Sequence, residues 1–188
     1  MPSKSGKRTP AKRKAALKGK IIPALNQLKS PVASRPVIPA TYGTASSLTG
    51  LLDWRWARER LTKSHNYVIV TVRPDGCPHA MGMHGLWFED AFYFGTAETT
   101  RKAKNLAENP HCILINDKLE ELVIVEGKAV QIGYDVLPKG LSAASKKKYG
   151  WPIDPEMGGV VYKLTPQKVF ALPEKLFATA LTRWKFEA

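Results

Sequence analysis

One short stretch of the chain carries residues whose types and order suit the binding of an anion. Thr96 and Thr100 lie between a predicted strand and a predicted short helix, and Arg101 and Lys102 occupy the first turn of that helix. A helix N-terminus presents unpaired backbone N–H groups and the positive end of the helix dipole, which attract a phosphate. The pattern therefore favours a phosphate site, and a capped surface helix with solvated basic residues is the alternative.

The other chemically capable residues do not form a recognisable set. His79, His84 and His111 are too scattered to predict a metal site, although His84 could protonate a reduced substrate if it faces a pocket. Cys77 lies in a turn with no identifiable base nearby, which favours an unreactive thiol. No catalytic residue is assigned. Four tryptophans are interpreted as packing residues, one of which could stack on a planar cofactor: Trp54, Trp56, Trp87 and Trp151.

The charge of the chain is concentrated at its N-terminus. The net charge is +13, and residues 1–35 contain 10 of the 29 Lys and Arg residues but none of the 16 Asp and Glu residues. Residues 1–45 are also rich in Pro, so they are predicted to form a disordered tail ahead of one folded domain over residues 46–188. The tail either contacts nucleic acid or another anionic surface, or only solubilises the chain.

Cysteine usage and hydropathy indicate the compartment. The 188 residues include two cysteines, too few for a disulfide framework, which favours a reducing cytoplasm. No run of about 18 apolar residues is present, so no membrane span is predicted. The N-terminal segment also lacks the apolar stretch of a secretory signal.

Periodicity and turn residues predict a mainly β chain with short helices, in the α+β class. A first helix is predicted from an N-cap at Ser46 or Ser47 through Thr62, and two more over residues 101–107 and 138–148. Strands are predicted at residues 67–73, 79–88, 91–95, 112–115, 122–132, 160–165, 168–172 and 181–186. The first three strands would form an antiparallel meander, and Gly127 indicates a bulge or bend. Many short strands of this kind favour a barrel.

Several motifs occur in order along the chain and together resemble one superfamily. They are residues 68–78 (VIVTVRPDGCP), 92–96 (FYFGT), 101–106 (RKAKNL) with the following Asn109-Pro110, and 123–129 (VIVEGKA). Together they resemble the pyridoxamine 5'-phosphate oxidase-like, FMN-binding split-barrel superfamily over roughly residues 48–186. The closing residues 178–186 (ATALTRWKF) are similar to the ending of its flavin/deazaflavin oxidoreductase branch.

The resemblance implies a fold, an assembly and a phosphate site. The implied fold is a six-stranded antiparallel split β-barrel with short peripheral helices. The implied assembly is a homodimer that binds FMN or coenzyme F-420 at the subunit interface. Arg101 and Lys102 fall on the positions that hold the cofactor phosphate, with Thr96 just after the preceding strand and Thr100 beside them.

The resemblance also implies where the cofactor ring lies. Residues 79–84 fall on the strand that runs along the ring, so Met81, Met83 and His84 are expected to contact the cofactor. Trp184 belongs to the closing motif and is expected to approach the ring as well.

Departures from the superfamily pattern bear on the reaction. Met81 and Leu86 stand where the true oxidases carry Arg and Lys, and Leu122 stands where they carry a cofactor-binding Gln. Oxidation of vitamin B6 is therefore not expected. The expected function is hydride transfer between FMN or coenzyme F-420 and a small unsaturated or heteroaromatic substrate, since the cofactor carries the hydride chemistry. The alternative is a non-catalytic split barrel that binds a flavin, haem or another tetrapyrrole.

Overall fold

The computed structural model describes residues 31–187. The predicted disorder and nucleic-acid contact of residues 1–30 lie outside the described residues. Within the described range, nine strands form one antiparallel sheet: β1 (Val32–Ser34), β2 (Tyr67–Val72), β3 (Pro78–Met83), β4 (Leu86–Phe88), β5 (Ala91–Thr96), β6 (His111–Asn116), β7 (Glu121–Ile132), β8 (Val160–Pro173) and β9 (Thr182–Lys185). Four α-helices lie between them: α1 (Trp54–Lys63), α2 (Arg101–Glu108), α3 (Leu141–Tyr149) and α4 (Phe177–Ala180).

The strand order confirms the predicted class, a split β-barrel with short helices. The order is β1-β9-β8-β7-β6-β2-β3, and β5 pairs with both β4 and β8. Of the nine described strands, the six that have six or more residues correspond to the predicted six-stranded barrel, namely β2, β3, β5, β6, β7 and β8. The three shorter strands extend it.

Strand β8 connects the two parts of the sheet. One edge pairs with β7 over twelve residue pairs, while the other edge pairs first with β5 and then with β9. The pairing of β5 ends where Thr96 faces Val160. The position of Thr96 is therefore fixed by the register of β8.

The predicted bulge at Gly127 is confirmed. The register between β7 and β8 shifts at Glu126 and Gly127, opposite Pro166. A Cβ at Gly127 would lie 2.3 Å from the carbonyl oxygen of Thr165, so only glycine fits without movement. Pro166, which has no backbone N–H, is tolerated in mid-strand because the ladder is irregular at this point. Because the irregular pairing accommodates Pro166, the segments predicted as separate strands at 160–165 and 168–172 form the single strand β8.

The main core fills the barrel. Its largest fully buried side chains include Trp184, Tyr67, Phe92 and Phe94. A second, smaller cluster of Leu86, Ala91, Tyr93 and Leu141 joins β4 and β5 to α3. Helix α3 is therefore packed against the sheet, beside the strand that leads to Thr96.

The first helix starts later than predicted. Asp53 caps α1 by accepting a hydrogen bond from the backbone N–H of Arg55 at 2.8 Å, so neither Ser46 nor Ser47 is its N-cap. Gly50 has a φ of +84°, which interrupts the predicted helix, and Leu48 is 67% exposed. The leucines in residues 48–52 thus have helical spacing but lie outside the helix, which begins at Trp54.

Part of the predicted tail is a strand. Val32–Ser34 pairs with Thr182–Lys185 in register from Val32–Lys185 to Ser34–Arg183. The guanidinium of Arg35 then donates hydrogen bonds to four backbone carbonyls, those of Ser47, Thr49, Thr179 and Leu181. The described residues 32–35 therefore belong to the folded part, and the predicted start of the domain at residue 46 is too late.

The predicted strand at 79–88 is interrupted. It consists of β3 and β4, which are separated by His84 and Gly85, and β3 pairs with β2 while β4 pairs with β5. The backbone N–H of Gly85 donates to the Tyr149 hydroxyl at 3.1 Å instead of to a neighbouring strand. The two antiparallel pairings of the predicted meander are therefore present, but its middle strand is wrong, because it is two strands separated where Tyr149 of α3 bonds to the backbone. Among the described residues, no helix is long and apolar enough to span a membrane.

Substitution of Gly127 by alanine is expected to lower the free energy of unfolding by about 2 kcal/mol or more, because the new Cβ meets the Thr165 carbonyl. Urea denaturation followed by circular dichroism measures the change. Gly82→Ala is the matched control, since a Cβ at this strand glycine meets nothing within 4 Å. Equal stability of the two variants would contradict the packing constraint at Gly127.

Candidate functional site

A cavity of about 460 Å³ lies where β5 ends and α2 begins. Its walls come from the end of β3, the His84–Gly85 break, β5, α3 and the loop after α3. Thr96 and Lys102 line it on the side of α2, and His84, Tyr149 and Trp151 line it on the side of α3. The cavity thus has a cationic part and an aromatic part.

The start of α2 is arranged as the sequence predicts. Thr100 is the N-cap, its hydroxyl oxygen accepting from the backbone N–H of Ala103 at 3.4 Å. The hydroxyl oxygens of Thr96 and Thr100 lie 3.1 Å apart. The end of β5 and the first turn of α2 are therefore joined by two hydroxyl groups, and a helix N-terminus of this kind is a suitable place for an anion.

Lys102 supplies the positive charge inside the cavity. Its side chain is half-buried, and burial lowers the pKa of its ammonium group. The ion pairs seen within residues 31–187 do not include Lys102. A partly desolvated cation without a carboxylate partner fits an anionic group such as the phosphate of a flavin-type cofactor.

Two hydrogen bonds hold α2 against the barrel. Asn105 is fully buried, and its side-chain amide donates to the hydroxyl of Thr71 on β2 at 2.9 Å. The hydroxyl of Tyr162 on β8 donates to the carbonyl of Ala103 at 3.4 Å. Because Ala103 and Leu106 are also buried in the main core, the first turn of α2 has a fixed position relative to β5.

The structure brings together most of the predicted cofactor contacts. Thr96, Lys102, Met83 and His84 all line the cavity, and Thr100 contacts Thr96. Met83 and His84 reach it because β3 ends there.

Three predicted contacts lie elsewhere. Arg101 is exposed and does not line the cavity, so its guanidinium is at the surface of the first turn. Met81 is 47% exposed on β3, the terminal strand in the pairing order of the described sheet, two residues before Met83. Trp184 is 1% exposed and packs on Trp54 with 5.4 Å between ring centroids, because its position opposite Val169 points it into the main core.

Several residues of the cavity were not singled out from the sequence. Tyr134, Ser145, Tyr149 and Asp154 line it, and Trp151, interpreted as a packing residue, lines it while being 43% exposed. All come from residues 134–154, which have no motif of their own. The sequence signal that could have located them is Tyr149-Gly150-Trp151, two aromatic residues around a glycine that directly follow three lysines.

Lys148, in the last turn of α3, is half-buried. Its ammonium nitrogen lies 3.0 Å from the Tyr67 hydroxyl, 3.3 Å from the Thr62 carbonyl and 3.4 Å from the Gly85 carbonyl. Burial lowers the pKa of Lys148 to about 8, and the negative charge of Asp117 offsets part of that effect. Burial also raises the pKa of the Tyr149 hydroxyl next to it.

Metal ligands are not grouped in the described part of the chain. Among residues 31–187, no cluster of three or more His, Cys, Asp or Glu side chains could hold a metal ion. Cys112 is buried, which raises the pKa of its thiol to about 12, and Cys77 is exposed.

The fold and the cavity together define a split-barrel protein with a cavity at the end of β5, lined on one side by Thr96 and Lys102. Residues 56–173 match the pyridoxamine 5'-phosphate oxidase family. The chain belongs to this family. No curated protein matches the sequence.

Solved structures share the fold at low sequence identity. General Stress Protein 26 from Bacillus anthracis is 22% identical with a TM-score of 0.51, over 62% of this chain and 91% of that chain. A putative pyridoxamine 5'-phosphate oxidase from Listeria innocua is 19% identical with a TM-score of 0.51, over 62% and 93% of the two chains. A FAD-binding protein from Mesorhizobium loti is 14% identical with a TM-score of 0.53, over 71% and 95%. These similarities support the split-barrel fold.

The depressed pKa of Lys148 predicts a pH-dependent stability. The unfolded chain keeps a lysine proton up to about pH 10.4, whereas the folded chain loses it near pH 8. Between these values the unfolded state binds more protons, so the free energy of unfolding rises with pH. Relative to Lys148→Met, the wild type should gain about 1 kcal/mol from pH 7 to pH 9.5, a figure reduced for partial solvent screening.

Chemical denaturation of both proteins across this pH range measures the difference. Lys147→Met, which changes an exposed lysine of the same helix turn, should show no such gain. A constant or falling difference between wild type and Lys148→Met would contradict the burial of the ammonium group.

Proposed function

We propose that this chain is an oxidoreductase that binds FMN or coenzyme F-420 and transfers hydride between the cofactor and a small unsaturated or heteroaromatic substrate. The observation that carries the proposal is Lys102, a half-buried cation without an acidic partner in the described ion pairs, placed beside the Thr96–Thr100 hydroxyl pair. The cofactor, when bound, supplies the hydride chemistry. Membership of the pyridoxamine 5'-phosphate oxidase family supports the assignment of a phosphate-bearing cofactor.

In this proposal the side chains of the chain bind and orient the cofactor. Lys102 and the hydroxyls of Thr96 and Thr100 hold the phosphate, and the backbone N–H groups of the first turn of α2 add to them. Arg101, which lies on the same turn but outside the cavity, contributes long-range attraction or closes over the phosphate. Met83 and His84 contact the ring, and the buried Tyr93 and Phe94 of β5 keep water from the cavity wall.

We further propose that the active form is a homodimer. Residues Val68, Ile115, Ile124 and Phe170 are cross-strand partners in one row across β2, β6, β7 and β8. All four are partly exposed, whereas the residues that follow Val68 and Ile124, Ile69 and Val125, are fully buried on the opposite face. A continuous apolar row on the outer face of a sheet is typical of an interface between subunits.

The expected location of the protein is the cytoplasm.

Lys102→Met is expected to weaken FMN or coenzyme F-420 binding at least tenfold, because a charge-assisted contact to the phosphate is lost. Arg101→Met should have a smaller effect, since its side chain lies outside the cavity. Titration followed by cofactor fluorescence gives the dissociation constants.

Two controls separate a phosphate contact from a general loss of charge. Lys104→Met removes an exposed cation from the same helix and should leave cofactor affinity within about twofold of wild type. Riboflavin, which lacks the phosphate, should bind Lys102→Met and wild type equally. Unchanged FMN and coenzyme F-420 affinity in Lys102→Met would remove the phosphate assignment. Tight binding without turnover of any reduced cofactor would instead favour a non-catalytic carrier.

The dimer is tested by Ile115→Glu, which places a charge in the centre of the apolar row and should give a monomer. Val130→Glu is the matched control, because Val130 is an exposed apolar residue of β7 outside the row and its variant should stay dimeric. Sedimentation velocity at micromolar concentration measures both. A monomeric wild type, or a dimeric Ile115→Glu protein, would contradict the proposed interface.

A further inference from the structure

Four aromatic side chains meet at the end of the cavity formed by α3 and its following loop. His84 lies 4.9 Å from Tyr149 and 5.7 Å from Trp151, measured between ring centroids, and Tyr149 stacks on Trp151 at 5.4 Å and 22°. His65 contacts both His84 and Tyr149, at 5.6 Å and 5.0 Å. These distances are those of interacting rings, so the four form one cluster.

Hydrogen bonds fix the base of this cluster. The Tyr149 hydroxyl accepts from the Gly85 N–H and lies 2.8 Å from the His65 carbonyl and 2.7 Å from the Gly85 carbonyl, to either of which it can donate. Lys148 donates to the same Gly85 carbonyl and lies over the rings of Tyr67 and Tyr149. These hydrogen bonds give the Tyr149 ring one defined orientation. They are made to Gly85, in the segment between β3 and β4 that also contains His84.

Trp151 differs from the rest of the cluster in its exposure. Its indole is 43% exposed while it lines the cavity, and it rests on the fixed ring of Tyr149. The loop that carries it begins at Gly150, with φ at +88°, and ends at Gly158 and Gly159, both also with positive φ. A large flat ring is thus held at the cavity mouth with part of its surface free for a ligand.

The aromatic cluster is separate from the phosphate end. Leu86, two residues after His84, pairs with Tyr93 on β5, and Thr96 lies three residues further along the same strand. Three residues of a strand span about 10 Å. The aromatic cluster is thus offset along β5 from the phosphate end, and a cofactor whose ring contacts Met83 and His84 leaves the exposed face of Trp151 for another ring.

We propose that Tyr149 and Trp151 form a stacking wall that binds the planar aromatic or heteroaromatic ring of the substrate, next to the cofactor ring at Met83 and His84. This inference rests on the proposed function, because it assigns the phosphate end of the cavity to the cofactor. Stacking of a flat ring on an indole favours planar substrates over saturated ones of the same size. Trp151 is then the residue that selects substrates by their shape, and Tyr149 holds the Trp151 ring in position.

The wall is tested by calorimetric titration with 2-naphthol and with decahydro-2-naphthol, two alcohols of similar size of which only the first is planar. FMN-loaded wild type should bind 2-naphthol at least tenfold more tightly than the saturated alcohol. Trp151→Leu should lose about tenfold in 2-naphthol affinity, and Trp151→Phe, which keeps a ring, should lose no more than about threefold. Trp56→Leu is the matched control, since Trp56 contacts Arg60 outside the cavity.

The outcomes distinguish this proposal from the proposed function. Equal 2-naphthol affinity in wild type and Trp151→Leu, or no preference for the planar alcohol, would overturn the stacking wall. A loss of FMN affinity in Trp151→Leu as large as the loss of 2-naphthol affinity would assign the wall to the cofactor and also overturn it. If wild type binds neither FMN nor coenzyme F-420, the proposed function fails, and the same comparison in cofactor-free protein still decides whether the wall binds planar rings.

Discussion

The pairing of β7 with β8, bent at Gly127, is the constraint on which the rest of the molecule depends. Twelve residue pairs hold the two strands together, and the close approach of the Thr165 carbonyl at the bend leaves no room for a side chain. The opposite edge of β8 is divided between β5 and β9. The register of this one strand therefore sets where β5 ends, and the end of β5 is where Thr96 and the first turn of α2 meet.

Helices α2 and α3 form the two chemically different ends of the cavity. Helix α2, held to the barrel by Asn105 and by apolar packing, presents hydroxyl groups, backbone N–H groups and Lys102. Helix α3 ends in Tyr149 and Lys148, which bind the backbone at Gly85 and interrupt the sheet there. One end of the cavity is therefore suited to an anion and the other to a flat ring.

Local signals in the sequence predicted most strand positions, α2, the bulge at Gly127 and the split-barrel class, because each depends on neighbouring residues or on motifs in order. The misplaced features depend on contacts distant in sequence. The break at Gly85 requires Tyr149, which is 64 residues away. The strand at Val32–Ser34 requires β9, and the burial of Trp184 requires its pairing with Val169. Arg101 and Lys102 are adjacent and chemically alike, so no local pattern could show that only the second faces the cavity.

The central claim is that an anionic phosphate docks where β5 gives way to α2, beside Lys102. A crystal structure of the protein soaked with excess FMN tests it most directly. The account predicts the phosphate within hydrogen-bond distance of the Lys102 ammonium group and the Thr96 or Thr100 hydroxyl. Phosphate density at another place on the barrel, with Lys102 directed into solvent, would contradict it.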